Sequence, residues 1–182
     1  PDFLWVINDS GGTPEIHLAG TDGTDHGKLT LKDTKNIDWE DLASFTLDGK
    51  PYLLLADTGD NNSRRETCVL HILREPTLPD DGKPLNLTTL PDWQIRFRYE
   101  DGPRDCEAVA VDAANKKIIL ISKRTKPPEV HELPLRAPSK RGILTTRKLG
   151  LTEVRAPVGN FIPFIDQPTG LDISPDGSLA AA

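Results

Sequence analysis

Short apolar runs separated by turn residues extend along the whole chain. The runs are rich in Val, Ile, Leu, Phe and Tyr and are bounded by glycine, proline, aspartate or asparagine, which is typical of β-strands. Segments with a helical period are nearly absent, and 16 prolines and 14 glycines are spread along the sequence. We therefore predict an all-β fold. The predicted strands are Phe3–Ile7, Glu15–Ala19, Leu42–Leu47, Tyr52–Ala56, Cys68–Leu73, Trp93–Tyr99, Ala108–Val111, Lys117–Ser122, Glu129–Leu133, Gly142–Lys148 and Gly170–Ile173.

The predicted strands form a repeat. Three segments, which begin at Asp38, Asp105 and Gln167, align without gaps, and a turn follows each of them. The turns Asp48-Gly49 and Asp176-Gly177 favour a hairpin, because both residues tolerate positive φ. A second apolar strand follows the turn, and third and fourth strands follow in the better-defined units. Four antiparallel strands in a repeated unit are the pattern of a β-propeller blade.

The repeat also predicts how the chain is organised. Successive units are 67 residues (107 − 40) and 62 residues (169 − 107) apart, counted between Glu40, Glu107 and Thr169. The proline-rich stretch Glu75–Pro91 lies between a third and a fourth strand, and we interpret it as a surface excursion. The predicted divisions of this single partial domain are 1–35 (partial blade), 36–103 (blade), 104–165 (blade) and 166–182 (start of the next blade).

A propeller closes with about four to eight blades, so we expect the chain to be an incomplete part with about three. Remaining blades or another chain would then close the ring. We expect Leu42, Val109 and Leu171 on equivalent inner strands, and Ala182 in or beside a strand with an unpaired edge. The alternative fold is a β-sandwich whose strands resemble blades.

Composition and charge narrow the classes of partner. The chain is 36% apolar and 27% charged with a formal net charge of −6, and it has no clustered basic face of the kind that binds nucleic acid. No apolar run approaches the ~20 residues that cross a bilayer. No signal peptide is visible, but the chain opens on Pro1 and contains no Met. We expect a secreted or periplasmic protein whose export signal was removed, and a cytoplasmic location stays open.

The chain has two cysteines, Cys68 and Cys106, and each lies in or beside an apolar run. Two buried free thiols are the preferred interpretation, and a single disulfide is the alternative.

Four motifs carry a resemblance to a known group. They are NDSGG, NIDWEDLA, DTGDNNSRR and RDCEAVAVD. Together they resemble bacterial six-bladed β-propellers of poorly defined function, distantly similar to gluconolactonase/regucalcin-like and paraoxonase-like lactonases and to strictosidine synthase. The resemblance covers residues 3 to about 125 and, beyond them, the strand around Pro168–Leu171. It implies a divalent metal at the channel mouth, held by Glu, Asp and Asn side chains.

Equivalent acids begin two of the repeats. Asp38 and Glu40 precede or start one inner strand, and Asp105 and Glu107 hold the same positions in the next unit. Inner strands line the channel of a propeller, so these four carboxylates should converge. Converging carboxylates repel unless they are protonated or bridged by a cation, and Ca²⁺ prefers oxygen ligands. We predict a calcium site at these acids, and the alternative is hydrogen bonding to backbone N–H groups of the neighbouring blade.

A second group of oxygen donors comprises Asp57, Asp60 and Asn61 in the run DTGDNNS. It is a possible Ca²⁺ cluster, although an Asx-rich turn that satisfies its own backbone is the preferred interpretation. Asp9, Asp57 and Lys123 follow second strands. We expect them to form a charged ring in which Lys123 pairs with an acid across blades.

Other polar residues have positions that indicate packing. His17, His71 and His131 recur in the third strands of successive units. Trp39 and Cys106 alternate with the acids and should face the opposite side of the sheet.

Three functions are compatible with these features. The first is a divalent-metal binding propeller that presents a channel-mouth site to a small molecule or a protein partner. The second is a calcium-dependent hydrolase of lactones or phosphoesters, and the third is a metal-free interaction scaffold. The sequence names no catalytic residue and no substrate.

Overall fold

The computed structural model describes residues 3–79, 82–137, 142–153, 167–174, 176–178 and 180–181. These residues contain strands and no helix. The strands are β1 (Phe3–Ile7), β2 (Glu15–Gly20), β3 (Asp25–Leu31), β4 (Trp39–Leu47), β5 (Lys50–Asp57), β6 (Cys68–Arg74), β7 (Leu85–Thr89), β8 (Trp93–Arg98), β9 (Cys106–Asp112), β10 (Lys117–Ser122), β11 (Glu129–Pro134), β12 (Ile143–Thr145), β13 (Arg147–Leu151), β14 (Asp172–Ile173) and β15 (Ala180–Ala181).

The described strands form four sheets. Sheet A has the order β1-β2-β3-β7, sheet B β12-β8-β6-β5-β4, sheet C β13-β11-β10-β9 and sheet D β14-β15. The strand pairs are antiparallel except for β3–β7 and β8–β12, which are parallel. The predicted all-β class is confirmed, and the described residues form several antiparallel sheets.

Leu42 in β4, Val109 in β9 and Leu171 immediately before β14 belong to three different sheets. β4, β9 and β14 are edge strands of those sheets, as the repeat predicts for inner strands. The prediction for Ala182 lies outside the described residues.

The predicted surface excursion is partly wrong, because it contains a strand. Within Glu75–Pro91, β7 pairs in parallel with β3 of the preceding sheet. Gly27 lets the two strands approach, since a Cβ there would lie 2.1 Å from the Leu85 carbonyl oxygen. The excursion therefore pairs with the backbone groups at the outer edge of sheet A.

A second strand pairs in parallel with the preceding sheet one unit later. The single strand predicted over Gly142–Lys148 is two strands: β12 pairs in parallel with β8 of sheet B, and β13 pairs with β11 of sheet C. The run Gly142–Lys148 continues without a turn signal from β12 to β13, so the sequence did not indicate that the two strands join different sheets.

Leucine-rich layers lie between neighbouring sheets. Leu29 and Leu31 of sheet A share one buried cluster with Leu53 and Leu55 of sheet B. A second cluster joins sheets B and C, and a third joins sheet C to Leu171. Each fully buried leucine contributes about 1.5–3 kcal/mol, so these layers hold the sheets face to face.

In the part of the chain that the structure describes, no helix has both the length and the apolar character needed to cross a membrane.

Candidate metal centre

The two glutamates of the predicted site occupy matching irregularities in two sheets. In sheet B the register shifts between Trp39 and Asp41, so Glu40 has no partner residue on β5. In sheet C, Cys106 and Ala108 pair with successive residues of β10, so Glu107 is bypassed in the same way. Such bulges turn a side chain away from the regular alternation of a strand. The sequence prediction assumed that side chains alternate strictly between the two faces of a strand, so it did not include these bulges.

The bulges bring the predicted acids together. One carboxylate oxygen from each of Glu40, Asp105 and Glu107 lies within 4.8 Å of the other two. Asp9, Asp38 and Glu40 form a second group with the same spacing. Glu40 belongs to both groups and is half-buried, so it links acids from sheets A, B and C. All four predicted ligands meet there, and Asp9, which we had placed in a charged ring, joins them.

Gly59 makes room for two of these carboxylates. A Cβ at Gly59 would lie 2.3 Å from Glu40 Oε1 and 2.4 Å from Asp38 Oδ2. The Gly59 N–H donates a hydrogen bond to the Asp38 carbonyl oxygen over 3.1 Å. The glycine of the DTGDN motif therefore allows backbone to pass directly against the acidic site.

Among the described residues, ion pairs to the acids of this site form in its sheet C half. Lys123 forms an ion pair with Glu107, and Arg124 forms one with Asp105 over 2.6 Å. The expected pairing of Lys123 across blades is wrong, because its partner lies in the same sheet. Among the described residues, neither Asp38 nor Glu40 forms an ion pair within 4.0 Å.

The position assumed for Lys123 also shifts by one residue. Asp57 pairs with Trp39, and Ser122 pairs with the equivalent Cys106. Lys123 therefore corresponds to Thr58 and not to Asp57. The gap-free alignment of YLLLAD from Tyr52 with KIILIS from Lys117 gives the same correspondence, since it places Ser122 opposite Asp57.

Burial and the neighbouring acids perturb the pKa values of the site. Burial and the nearby carboxylates, Glu107 foremost and then Asp38, Asp9 and Asp105, raise the pKa of Glu40 to about 8. The pKa of Asp38 is also raised, by burial and by Asp9, and Arg65 opposes the rise. Without a cation, the site therefore keeps a proton on Glu40 at neutral pH.

The second predicted cluster lies beside this site, and its carboxylates have protein partners. Asp57 forms an ion pair with Arg65 over 2.8 Å, and Asp60 accepts hydrogen bonds from the N–H groups of Arg64 and Arg65. Asn61 Oδ1 accepts a hydrogen bond from Arg124. The contacts of Asp60 agree with the preferred interpretation of a turn that satisfies its own backbone, whereas Asp57 and Asn61 contact arginine side chains. Metal binding by Asp57, Asp60 and Asn61 stays a prediction.

Asp105 has a structural contact as well. Its Oδ1 accepts a hydrogen bond from the Asp60 N–H over 2.9 Å, and Thr58 Oγ1 donates to the Cys106 carbonyl oxygen over 2.8 Å. These bonds tie the DTGDN loop of sheet B to the start of β9. The alternative role for the acids, bonding to a neighbouring backbone, therefore has support at Asp105.

Sequence reasoning missed Asp41. Its carboxylate accepts hydrogen bonds from the N–H groups of Leu42, Val109 and Leu171 over 2.8, 2.7 and 3.3 Å. These donors hold one equivalent position in three units, so a single side chain joins β4, β9 and the residue before β14. The repeat did not mark this residue, because the aligned positions are Ala108 and Gly170 and carry no acid.

The residues predicted to pack are buried except for His17, which is half-buried. His71 and His131 are buried beside Gln94 and Thr146, whose side chains hydrogen-bond their rings. Burial lowers the pKa of His71 to about 4, so its ring is neutral at physiological pH. Trp39, Cys68 and Cys106 are buried too, and both thiols are free.

In comparisons with known proteins, no family model matches the chain and no curated protein matches it.

Proposed function

We propose that the chain is part of a β-propeller and that it binds a divalent cation, calcium in the first instance, at the acidic site around Glu40. The separate sheets A, B and C, each of four or five mostly antiparallel strands, and the equivalent edge positions of Leu42, Val109 and Leu171 support the propeller. We also propose that the complete propeller is a closed ring of six blades. The site would face the channel mouth, where a small molecule or a protein partner can reach it.

One observation carries the proposal of a cation. The Glu40 carboxylate lies within 4.8 Å of carboxylate oxygens from both neighbouring groups, and it has no positively charged partner among the described residues. A hard cation bound to carboxylate oxygens would relieve this repulsion. Ca²⁺ takes about 6–8 oxygen ligands, and Asp9, Asp38, Glu40, Asp105 and Glu107 supply carboxylates for that shell.

A specific observation favours a second candidate, the metal-free scaffold. Lys123 and Arg124 already neutralise Glu107 and Asp105. In that case a proton on Glu40 reduces the remaining negative charge of the site, and the acids serve to hold the sheets together.

Calorimetric titration with CaCl₂ above about pH 8, where Glu40 is ionised, separates the two candidates. We expect binding by the wild-type protein and at least a tenfold loss, about 1.4 kcal/mol, in Glu40→Gln. The change removes the charge and keeps the shape of the side chain. Glu66→Gln, at an exposed position outside the site, is the matched control and should bind as the wild type does.

Absence of binding in the wild-type protein would favour the metal-free scaffold. Equal binding by Glu40→Gln and the wild type would remove Glu40 as a ligand.

A further inference from the structure

Lys123 places a positive charge in the acidic site from the end of β10. Its N–H donates a hydrogen bond to the Asp105 carbonyl oxygen over 2.9 Å, and the Gly59 N–H donates the equivalent bond to Asp38 over 3.1 Å. Asp38 and Asp105 hold matched positions in the repeat. In backbone hydrogen bonding, Lys123 therefore takes the place of Gly59, although the strand register sets it opposite Thr58.

A side chain is excluded at this position in sheet B and present in sheet C. A Cβ at Gly59 would lie 2.3 Å from Glu40 Oε1, so only glycine lets the sheet B carboxylates approach the backbone there. In sheet C the Lys123 side chain extends from this position, and its ammonium group pairs with Glu107. The protein therefore supplies a cation of its own to one acid of the proposed metal site.

The pair of Lys123 and Glu107 is largely shielded from solvent. Their side chains are 16% and 14% exposed, so salt screens their attraction less than it would at the surface. Asp105, the other acid of sheet C, has its two oxygens on the Asp60 N–H and on Arg124, and the Arg124 side chain is 39% exposed. Lys123 is therefore the more buried of the two cations and the one that holds Glu107.

A metal ion in the site has to compete with this ammonium group. One carboxylate oxygen of Glu107 lies within 4.8 Å of oxygens from Glu40 and Asp105, so a divalent cation bound to this group would be a close neighbour of the ammonium group on Glu107. Like charges at short separation repel strongly. Metal binding is therefore favoured when Lys123 leaves Glu107.

We propose that Lys123 is a built-in competitor of the metal, which lowers the calcium affinity of the site by holding Glu107 until a metal ion replaces it. The inference rests on the proposed function, because it concerns the same acidic site. It makes Lys123 an affinity-determining residue that is not itself a ligand. The site then responds to a higher range of calcium concentration than the same carboxylates would without the lysine.

Calorimetric titration of Lys123→Met with CaCl₂ tests the proposal, since methionine keeps an unbranched side chain and removes the charge. We expect it to bind calcium more tightly than the wild type by about tenfold or more, a gain that partial misfolding cannot produce. Lys123→Arg keeps the charge and should bind as the wild type does. Lys117→Met is the matched control and should leave the affinity unchanged, because Lys117 pairs with Glu132 at the opposite end of β10.

The titrations separate this inference from the proposed function. If the wild type binds calcium and Lys123→Met binds it no more tightly, or if Lys123→Arg gains as much, the competitor role is overturned and the metal site stands. Binding by Lys123→Met alone, with none by the wild type, would support the competitor role. If neither protein binds calcium, the proposed metal site fails and the competitor role fails with it.

A labelling experiment on the wild-type protein tests the displacement without a variant. Acetic anhydride modifies accessible lysine amines, and mass spectrometry of the digested protein measures the extent at Lys123 relative to Lys117. Saturating CaCl₂ should raise the labelling of Lys123, because its amine leaves Glu107, and should not change that of Lys117. Equal labelling of Lys123 with and without calcium would contradict its displacement by the metal.

Discussion

At the scale of single residues, the position of Glu40 in a strand bulge determines its chemistry. The bulge directs its carboxylate toward four other acids, and burial prevents water from screening them fully. The sequence predicted which acids would meet, because they recur at one position in the repeat. It did not predict the bulges or the close passage of Gly59, which depend on how β4 and β9 pair with their neighbours.

The raised pKa of Glu40 predicts a pH dependence for the metal-free protein. In chelator, Glu40 is protonated when folded up to about pH 8, whereas an unfolded glutamate loses its proton near 4.5. Its contribution to the free energy of unfolding is therefore fully present below pH 4.5 and is lost as pH rises through about 8. Urea unfolding over this window should show a decline in the wild type that is absent in Glu40→Gln. Parallel pH profiles would contradict the assignment.

At the scale of strands, the inner strands are held to one another by side chains as well as by apolar layers. The periodic pattern located most strands correctly, because each is a short apolar run with turn residues at its ends. It failed where a run serves two sheets, at β12 and β13, and where a proline-rich segment pairs across units, at β7. Local patterns contain no information about which sheet a strand joins.

Asp41 offers a test of how the inner strands are joined. Asp41→Ala leaves the N–H groups of Leu42, Val109 and Leu171 without their acceptor. A buried N–H without a partner costs about 1–3 kcal/mol, so we expect a loss of about 2–4 kcal/mol in the free energy of unfolding, measured in urea. Asp48→Asn, in an exposed hairpin turn with positive φ, should change stability by about 0.5 kcal/mol or less. A similarly small effect of Asp41→Ala would show that the apolar layers alone hold the strands together.

At the scale of the whole molecule, repetition explains the acidic site. Equivalent positions in successive sheets bring Asp38, Glu40, Asp105 and Glu107 together. The repeat was evident in the sequence because three segments align without gaps. The distances between the carboxylates could be read only from the structure, since they depend on the bulges at Glu40 and Glu107.

A crystal structure of the protein grown with CaCl₂ tests the central claim most directly, through the anomalous scattering of calcium. The account predicts one anomalous peak in contact with Glu40 and with carboxylates of both sheet B and sheet C. Crystals of Glu40→Gln grown in the same way should lack the peak. A wild-type map with no calcium at Glu40, in which Lys123 and Arg124 keep their ion pairs with Glu107 and Asp105, would contradict it.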